Sequence, residues 1–209
     1  MGTTGWLPIA IALVALGVSL FNLWTTHLRR GRVCMTPPTL VYIGRDGDEN
    51  RHKIHLRTLL FSTSVRGNVI ESLYLVVHQQ VMNGHLSQVF DYWAYGEIGK
   101  LSVGGGLYVG QSGIATNHHF VLSRRAPQEY AWWSAPCQIQ VFARVRGQST
   151  PHLLHEIKFD ITYEHAGLLA QVLDIGVFYE WSSDTADYAG HAEKRPVRKP
   201  RGEDTKELG

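Results

Sequence analysis

The amino-acid sequence predicts an antiparallel β-sandwich that follows one transmembrane helix. Three observations support this fold class: an uncharged apolar run near the N-terminus, apolar residues that alternate with polar residues in later segments, and turn residues about every ten positions. The later segments lack the long helical patterns that α/β folds require between their strands. We therefore expect an immunoglobulin-like or C2-like layout, with the strand order left open.

The N-terminal apolar run spans residues 6–24 and carries no charged side chain. A helix rises about 1.5 Å per residue, so a run of this length covers the roughly 30 Å hydrocarbon core of a bilayer. Trp6 and Trp24 stand at its two ends, where indole rings favour the level of the lipid headgroups. We expect residues 6–24 to contact lipid and residues 1–32 to form a membrane anchor with a basic flank.

Basic side chains flank this run on one side only. Arg29, Arg30 and Arg32 follow it, whereas no Lys or Arg precedes it. The positive-inside rule then predicts an external N-terminus and a cytoplasmic domain, at the inner membrane if the protein is bacterial. A cleaved signal peptide would have a basic n-region and an Ala-x-Ala site, and the sequence has neither. We expect an uncleaved, single-pass signal-anchor whose arginines attract anionic lipid.

The rest of the chain divides into a spacer, a β-domain and a tail. Residues 33–38 end in two prolines, which cannot continue a helix, and predict a short spacer. The β-domain is predicted at residues 39–190, and the charged residues 191–209 as a disordered tail. One short helix is predicted at residues 164–172. The predicted strands cover residues 39–43, 53–62, 69–78, 88–95, 101–109, 117–122, 138–146, 156–163 and 175–181.

Two of the predicted strands show the clearest alternation. In residues 138–146, isoleucine, valine and alanine alternate with a face that holds glutamine, arginine and one phenylalanine, Phe142. Residues 156–163 alternate between apolar and polar side chains in the same way. A period of two with one polar face is typical of an antiparallel sheet that has one face in solvent. Residues 69–78 are apolar on both faces for much of their length, which predicts a central strand.

The charge of the folded part argues against one class of partner. The formal net charge of the chain is +2, but residues 33–192 hold 11 basic and 14 acidic side chains. A nucleic-acid-binding domain needs a basic surplus to neutralise phosphates, so we expect no nucleic-acid partner. The two cysteines, Cys34 and Cys137, are expected to be reduced on the cytoplasmic side of a membrane.

Short motifs that would bind a metal ion or a phosphate are incomplete. Asp46, Asp48 and Asn50 have the spacing that opens an EF-hand loop, but Arg51 stands where that loop needs glycine. The glycines at 104–106 lack the Lys-Ser/Thr pair and the following helix of a phosphate-binding loop. We interpret both segments as turns and expect neither a metal site nor a cofactor.

Ser112 is the candidate nucleophile of one further motif. It lies in a GQSG turn, with His52, His55 and Asp91 upstream as conceivable partners. A catalytic triad needs such groups within hydrogen-bond reach of one another, and nothing in the sequence establishes that reach. We therefore expect a turn here and assign no catalytic residue.

Histidine and aromatic side chains give the best candidate for a recognition surface. His118 and His119 lie on one predicted strand, so their side chains point to opposite faces and cannot share one metal ion without distortion. Tyr130, Trp132 and Trp133 cluster before residue 137. Adjacent tryptophans in an extended segment also face opposite ways, so at least one is expected at the surface, where it would bury in a protein interface or stack on a sugar.

Two classes of function remain open at this point. The favoured one is a non-catalytic binding or recruitment module that is held at the membrane and recognises a protein partner. The alternative is an enzyme, or a sandwich that binds a small ligand or carbohydrate in a pocket of histidine and aromatic side chains. A concave site that joins histidine to a carboxylate would favour chemistry. An exposed apolar patch on a flat sheet would favour a partner.

Overall fold

The computed structural model describes residues 5–28, 31–46, 51–81, 84–97, 100–126, 130–171 and 175–194. These residues form one N-terminal apolar helix, two antiparallel sheets and one further short helix. The chain is mostly β and sandwich-like, so the coarse fold class is confirmed. An immunoglobulin-like or C2-like strand order stays a prediction.

Helix α1 (Trp6–Leu23) continues into a π-helical turn at Trp24–Leu28. None of the side chains of α1 is buried, and Trp6–Thr26 is long and apolar enough to cross a membrane. The hydroxyl groups of Thr25 and Thr26 donate hydrogen bonds to carbonyl oxygens one turn earlier, so these polar side chains are satisfied within the helix. An N-terminal signal sequence can meet the same criteria of length and composition.

The larger sheet contains eight strands, and its central strand is β3. The order along the sheet is β13-β12-β2-β3-β9-β6-β7, and β1 pairs with the C-terminal end of β3. The strands are β1 (Val33–Met35), β2 (Leu40–Arg45), β3 (His52–Ser62), β6 (Tyr92–Tyr95), β7 (Ser102–Val103), β9 (Ile114–Val121), β12 (Ile175–Ser182) and β13 (Asp187–Lys194).

The smaller sheet contains five strands, and its longest strand is β4. The order is β11-β10-β4-β5, and β8 pairs with the first residues of β4. Helix α2 (Tyr163–Gln171) follows β11. The strands are β4 (Asn68–Val81), β5 (Gly84–Phe90), β8 (Leu107–Val109), β10 (Pro136–Val145) and β11 (His152–Asp160).

The hydrophobic core consists of the inward faces of both sheets. Ile54 and Phe120 of the larger sheet, and Leu75 and Ile139 of the smaller one, have no solvent-exposed surface. Burial of such a side chain stabilises the fold by roughly 1.5–3 kcal/mol. The predicted alternation in β10 is confirmed, because its residues are alternately buried and partly exposed along the strand.

Two segments that the sequence predicts as single strands are each divided between the sheets. Residues 88–95 contain the end of β5 and all of β6, and the chain crosses from one sheet to the other at Asp91. The Asp91 carboxylate accepts a hydrogen bond of 2.8 Å from the Ser123 hydroxyl at this crossing. Residues 101–109 are divided into β7 and β8, and Gly105 and Gly106 between them adopt positive φ angles. Positive φ is open to glycine and strained for most other residues.

Three predicted boundaries are wrong. Val33–Met35 pair with Leu60 to Ser62, so half of the predicted spacer is a strand of the larger sheet. The last strand, β13, reaches Lys194, because its pairing with β12 orders four residues that composition assigned to the tail. Tyr163, predicted as the end of a strand, begins α2. The rest of the predicted tail, residues 195–209, lies outside the described residues.

Candidate functional site

The predicted aromatic cluster before β10 is mostly part of the core. Tyr130 and Trp132 are buried, whereas the side chain of Trp133 is 53% exposed. The Tyr130 hydroxyl donates a hydrogen bond to the Gln79 side chain, whose amide donates to the Trp133 carbonyl oxygen. Burial raises the pKa of Tyr130 above its ordinary value. Of the three predicted aromatic residues, Trp133 alone presents a large surface to solvent.

His118 and His119 lie on opposite faces of the larger sheet. His118 points inward, where its Nδ1 accepts a hydrogen bond of 3.2 Å from Trp93 Nε1, and burial lowers its pKa to about 3. His119 lies on the outer face, where Nε2–H donates to the Gly96 carbonyl oxygen. Tyr130 and Trp132 instead contact the ring of His52. The five predicted recognition residues therefore do not form one surface.

The conceivable triad around Ser112 does not assemble. Ser112 lies in the turn before β9, and β9 begins opposite Leu60 at one end of β3. His52 begins β3 at the other end, about 26 Å away at roughly 3.3 Å per residue. The Asp91 carboxylate accepts a hydrogen bond from the Ser123 hydroxyl. Hydrogen-bond reach between Ser112 and His52 is thus excluded by strand register.

The predicted absence of a metal motif concerns residues that are only partly described. Asp48 and Asn50 of the EF-hand-like segment lie outside the described residues, as do Arg29 and Arg30 of the anchor. Within the described ranges, no three side chains of His, Cys, Asp or Glu converge as metal ligands would.

The outer face of the smaller sheet carries apolar side chains that are far apart in sequence, two of them half-buried and two exposed. Tyr74 of β4 and Phe142 of β10 are cross-strand neighbours, with stacked rings 5.3 Å apart. Leu153 of β11 pairs with Phe142 and is 46% exposed, and Val89 of β5 is 40% exposed. Arg144 lies two residues beyond Phe142 on the same face and is exposed. We call these five residues the recognition face.

The recognition face was missed in the sequence, although one signal for it was present. Phe142 occupies a position on the polar face of β10, between glutamine and arginine residues. A large aromatic residue on the solvent side of an amphipathic strand has no core to fill, so it indicates contact with something else. Only the register between β4 and β10 shows that Tyr74 stands beside it.

A chain of hydrogen bonds crosses four strands next to the recognition face. The Ser87 hydroxyl and Nδ1 of His78 are 2.7 Å apart, and His78 Nε2 is 3.3 Å from Gln140 Oε1. In the neutral tautomer with its proton on Nε2, His78 donates to Gln140 Oε1 and accepts from Ser87 on Nδ1. The Gln140 amide donates to Glu156, which also pairs with Lys158 at 2.7 Å. We call this chain the polar ladder.

The polar ladder ends at Glu156, which accepts its last hydrogen bond. Hydrogen bonds from Lys158, Gln140 and Gln138 lower the pKa of Glu156 to about 2. Glu156 is therefore ionised throughout the physiological range. Each side chain of the ladder is held by neighbours on adjacent strands.

A cleft opens where the smaller sheet meets the β12–β13 edge of the larger sheet. Its volume is about 620 Å³. Phe159 and Tyr179 form buried surface within it, with ring centroids 4.2 Å apart. The Tyr179 hydroxyl and His165 Nδ1 are 3.4 Å apart. Cys137 also borders the cleft, and burial raises the pKa of its thiol to about 12, so the thiol is protonated and a poor nucleophile. The polar lining includes His78, His85, His165, Asp160 and Asp187.

Comparison of the chain with known protein families and with curated proteins finds no match. The functional interpretation therefore depends on the geometry of the chain itself.

Proposed function

We propose that the chain is a single-pass membrane protein with a cytoplasmic β-sandwich that binds a protein partner and catalyses no reaction. Helix α1 supports the anchoring, because all of its side chains lie outside the folded core and its length matches a bilayer. Arg29, Arg30 and Arg32 at its C-terminal side support the cytoplasmic orientation.

The recognition face is the observation that carries this proposal. Val89 and Leu153 are exposed and Tyr74 and Phe142 are half-buried on the open face of a sheet, outside the core of the sandwich. Aromatic residues and arginine are enriched in the buried centres of protein interfaces, and contiguous exposed apolar patches mark such sites. A flat apolar face flanked by ordered polar groups fits a protein surface better than a small molecule.

The chemistry of the face indicates what its partner presents. Arg144 stands beside the apolar side chains, and within the described part of the chain no acidic side chain forms an ion pair with it. A guanidinium at the edge of an apolar contact binds a carboxylate in a bidentate fashion. The expected partner is a protein at the membrane that presents an apolar side chain next to an Asp or Glu.

Site-specific photo-crosslinking tests the partner. A photoreactive amino acid replaces Leu153 in the full-length, membrane-embedded chain, and proteins crosslinked to it are identified with and without Phe142→Glu or Arg144→Glu. We expect one crosslinked protein that both substitutions remove and that Tyr92→Ala retains, because Tyr92 is an exposed aromatic residue of the other sheet. Recovery of the same protein with Phe142→Glu would contradict the proposal. Replacement of the partner's Asp or Glu by arginine should restore binding to the Arg144→Glu variant.

Protease digestion of sealed vesicles tests the orientation. With an external N-terminus, the β-domain is digested in inside-out vesicles and protected in right-side-out vesicles. The opposite pattern would place the domain outside the cell and would remove the positive-inside argument that rests on the three arginines.

The cleft favours a second candidate function, the binding of a small polar ligand such as a carbohydrate. Histidine, carboxylate and aromatic side chains line one concavity of suitable volume for a small ligand. Titration of the full-length protein with mono- and disaccharides, followed by NMR, tests this alternative. Shifts confined to His165 and Tyr188 that Asp187→Asn abolishes would support it. No shift, or shifts spread over the surface, would contradict it.

A further inference from the structure

The connection between α1 and the sandwich is very short. Two residues lie between Leu28 and Gly31, so the Cα atoms of Leu28 and Gly31 are at most about 11 Å apart. Arg32 is already part of the fold: its backbone N–H donates to the Thr63 hydroxyl at 2.8 Å, and its carbonyl accepts from Thr63 N–H. If α1 spans a membrane, as the proposed function requires, the end of the sandwich that holds Thr63 lies beside the bilayer.

Three turns and one side chain form this end, which we call the membrane end. The turns are residues 63–67, 110–113 and 146–150. Backbone hydrogen bonds join them, from Ser62 to Gly110 and from Arg146 to Val69, next to the start of β4. Tyr108 of β8 lies between them, and its hydroxyl donates to the Arg66 carbonyl oxygen at 3.0 Å. The membrane end is therefore tied together by contacts within the fold.

Apolar and basic side chains are both exposed at the membrane end. Val65 is 61% exposed at the tip of its turn, and Tyr108 is 54% exposed. Arg32, Arg66 and Arg146 are exposed around them. The three turns contain no Asp or Glu. Exposed tyrosine and aliphatic tips surrounded by arginine match the headgroup region of an anionic bilayer, where aromatic rings settle and basic side chains are attracted to anionic lipids.

We propose that the membrane end rests on the bilayer, with Val65 and Tyr108 at the level of the headgroups and the arginines on the phosphates of anionic lipids. The bilayer is then a second ligand of the β-domain, in addition to the lipid around α1. This contact fixes the tilt of the sandwich. Tyr74 lies six residues after the start of β4, about 20 Å along the strand, whereas Arg144 lies two residues before Arg146, so the recognition face extends away from the membrane end and meets partners at the membrane.

Paramagnetic broadening in nanodiscs tests this contact. The full-length protein carries labelled valine methyl groups in nanodiscs of phosphatidylcholine and phosphatidylserine that contain a lipid spin-labelled at its headgroup. We expect strong broadening of the Val65 methyl signals and little at Val89, which is exposed on the recognition face. Arg66→Glu combined with Arg146→Glu should reduce the broadening at Val65. Equal broadening of the Val65 and Val89 methyl signals would overturn the proposal.

The valines of α1 separate this inference from the proposed anchor. A lipid spin-labelled in its acyl chain should broaden Val14 and Val18, which lie in α1. If these methyl groups broaden and Val65 does not, the anchor stands and the contact at the membrane end is wrong. If none of the three broadens, α1 does not span the bilayer and both proposals fail.

Discussion

The imidazole rings of His55 and His119 lie face to face on the outer face of the larger sheet, 4.6 Å apart and only 8° from parallel. They are cross-strand neighbours in β3 and β9. Burial is the main cause that lowers the pKa of His119, to about 4, and the nearby charge of His55 is the second. Burial also lowers the pKa of His55. Two stacked imidazolium ions would repel each other, so this contact requires that at least one ring be neutral.

We predict that the protein loses stability as the pH falls from about 6.5 towards about 4. His52, His118 and His119 have pKa values of about 3 to 4 in the fold and an ordinary value of 6.5. Between these values the unfolded chain takes up protons that the folded chain does not. Each such group lowers the free energy of unfolding by up to about 1.4 kcal/mol per pH unit, and the loss ends below the folded pKa.

Urea denaturation of the full-length protein in detergent micelles, repeated from pH 8 to pH 4, measures this dependence. The slope of the free energy of unfolding against pH should correspond to about one proton fewer in His119→Gln, because glutamine does not titrate. The glutamine amide can still donate a hydrogen bond to Gly96. At pH 8 the same variant reports only the cost of altered packing. An unchanged acid slope would show that His119 is not the titrating group.

Tyr42, which lies beside His55, packs its ring over two glycines. Tyr42 is 6% exposed because its ring covers Gly44 and Gly176, and a Cβ atom at either glycine would overlap the ring. Gly176→Ala should therefore lower the free energy of unfolding by about 1–3 kcal/mol, as overpacking does. Chemical denaturation measures the loss. Tyr42→Ala should remove most of the added cost, so the double variant should be less destabilised than the sum of the two.

Gly167 provides the matched control for that substitution. It lies in α2, and a Cβ atom there would meet nothing within 4 Å. Gly167→Ala should raise the free energy of unfolding by about 0.5–1 kcal/mol, because alanine loses less backbone entropy in a helix. A loss of stability in both variants would mean that the Tyr42 contact is not the cause.

The fold was predictable where the chain carries a strong local pattern. β10 and β12 lie within two residues of their predicted bounds, because alternation and β-branched residues mark them in the sequence. β1 and β13 were not found. β1 has three residues, and β13 is exposed along most of its length, so neither carries an alternating pattern, and both are identified by their pairing with β3 and β12. Pairing with another strand leaves no periodic signal in the strand itself.

The candidate site was less predictable than the fold. Clustering of aromatic residues along the chain predicted a recognition surface, but two of these residues, Tyr130 and Trp132, fill the core. The pair Tyr74 and Phe142 belongs to strands that are distant in sequence, so its existence depends on sheet order and register. The same holds for the polar ladder, which requires four strands to be neighbours. Tyr130 and Trp132 were predicted at the surface and are buried instead, because aromatic residues commonly fill protein cores.

We predict that Lys158→Met raises the pKa of Glu156 from about 2 towards its ordinary value of 4.5. The hydrogen bond from Lys158 is the largest cause of the lowered pKa, and the hydrogen bonds from Gln140 and Gln138 are the next largest causes. A lowered carboxylate pKa stabilises the fold above pH 4.5 and loses that effect as the pH falls towards 2. Titration followed by ¹³C NMR of the Glu156 carboxyl carbon measures the change. An unchanged pKa would mean that the two glutamines suffice.

Phe142→Ala should weaken partner binding far more than it weakens the fold. The Phe142 ring is half-buried and stacks on Tyr74, so its removal costs about 0.5–1.5 kcal/mol for the lost ring pair, together with a partial loss of burial. Ile139→Ala, three residues earlier on the buried face of the same strand, should cost about 2–5 kcal/mol because it leaves a cavity. Urea denaturation compares the two variants, and crosslinking from position 153 compares their binding. A fold that needs Phe142 as much as Ile139 would make the aromatic pair a structural feature, and the recognition face would then lose its support.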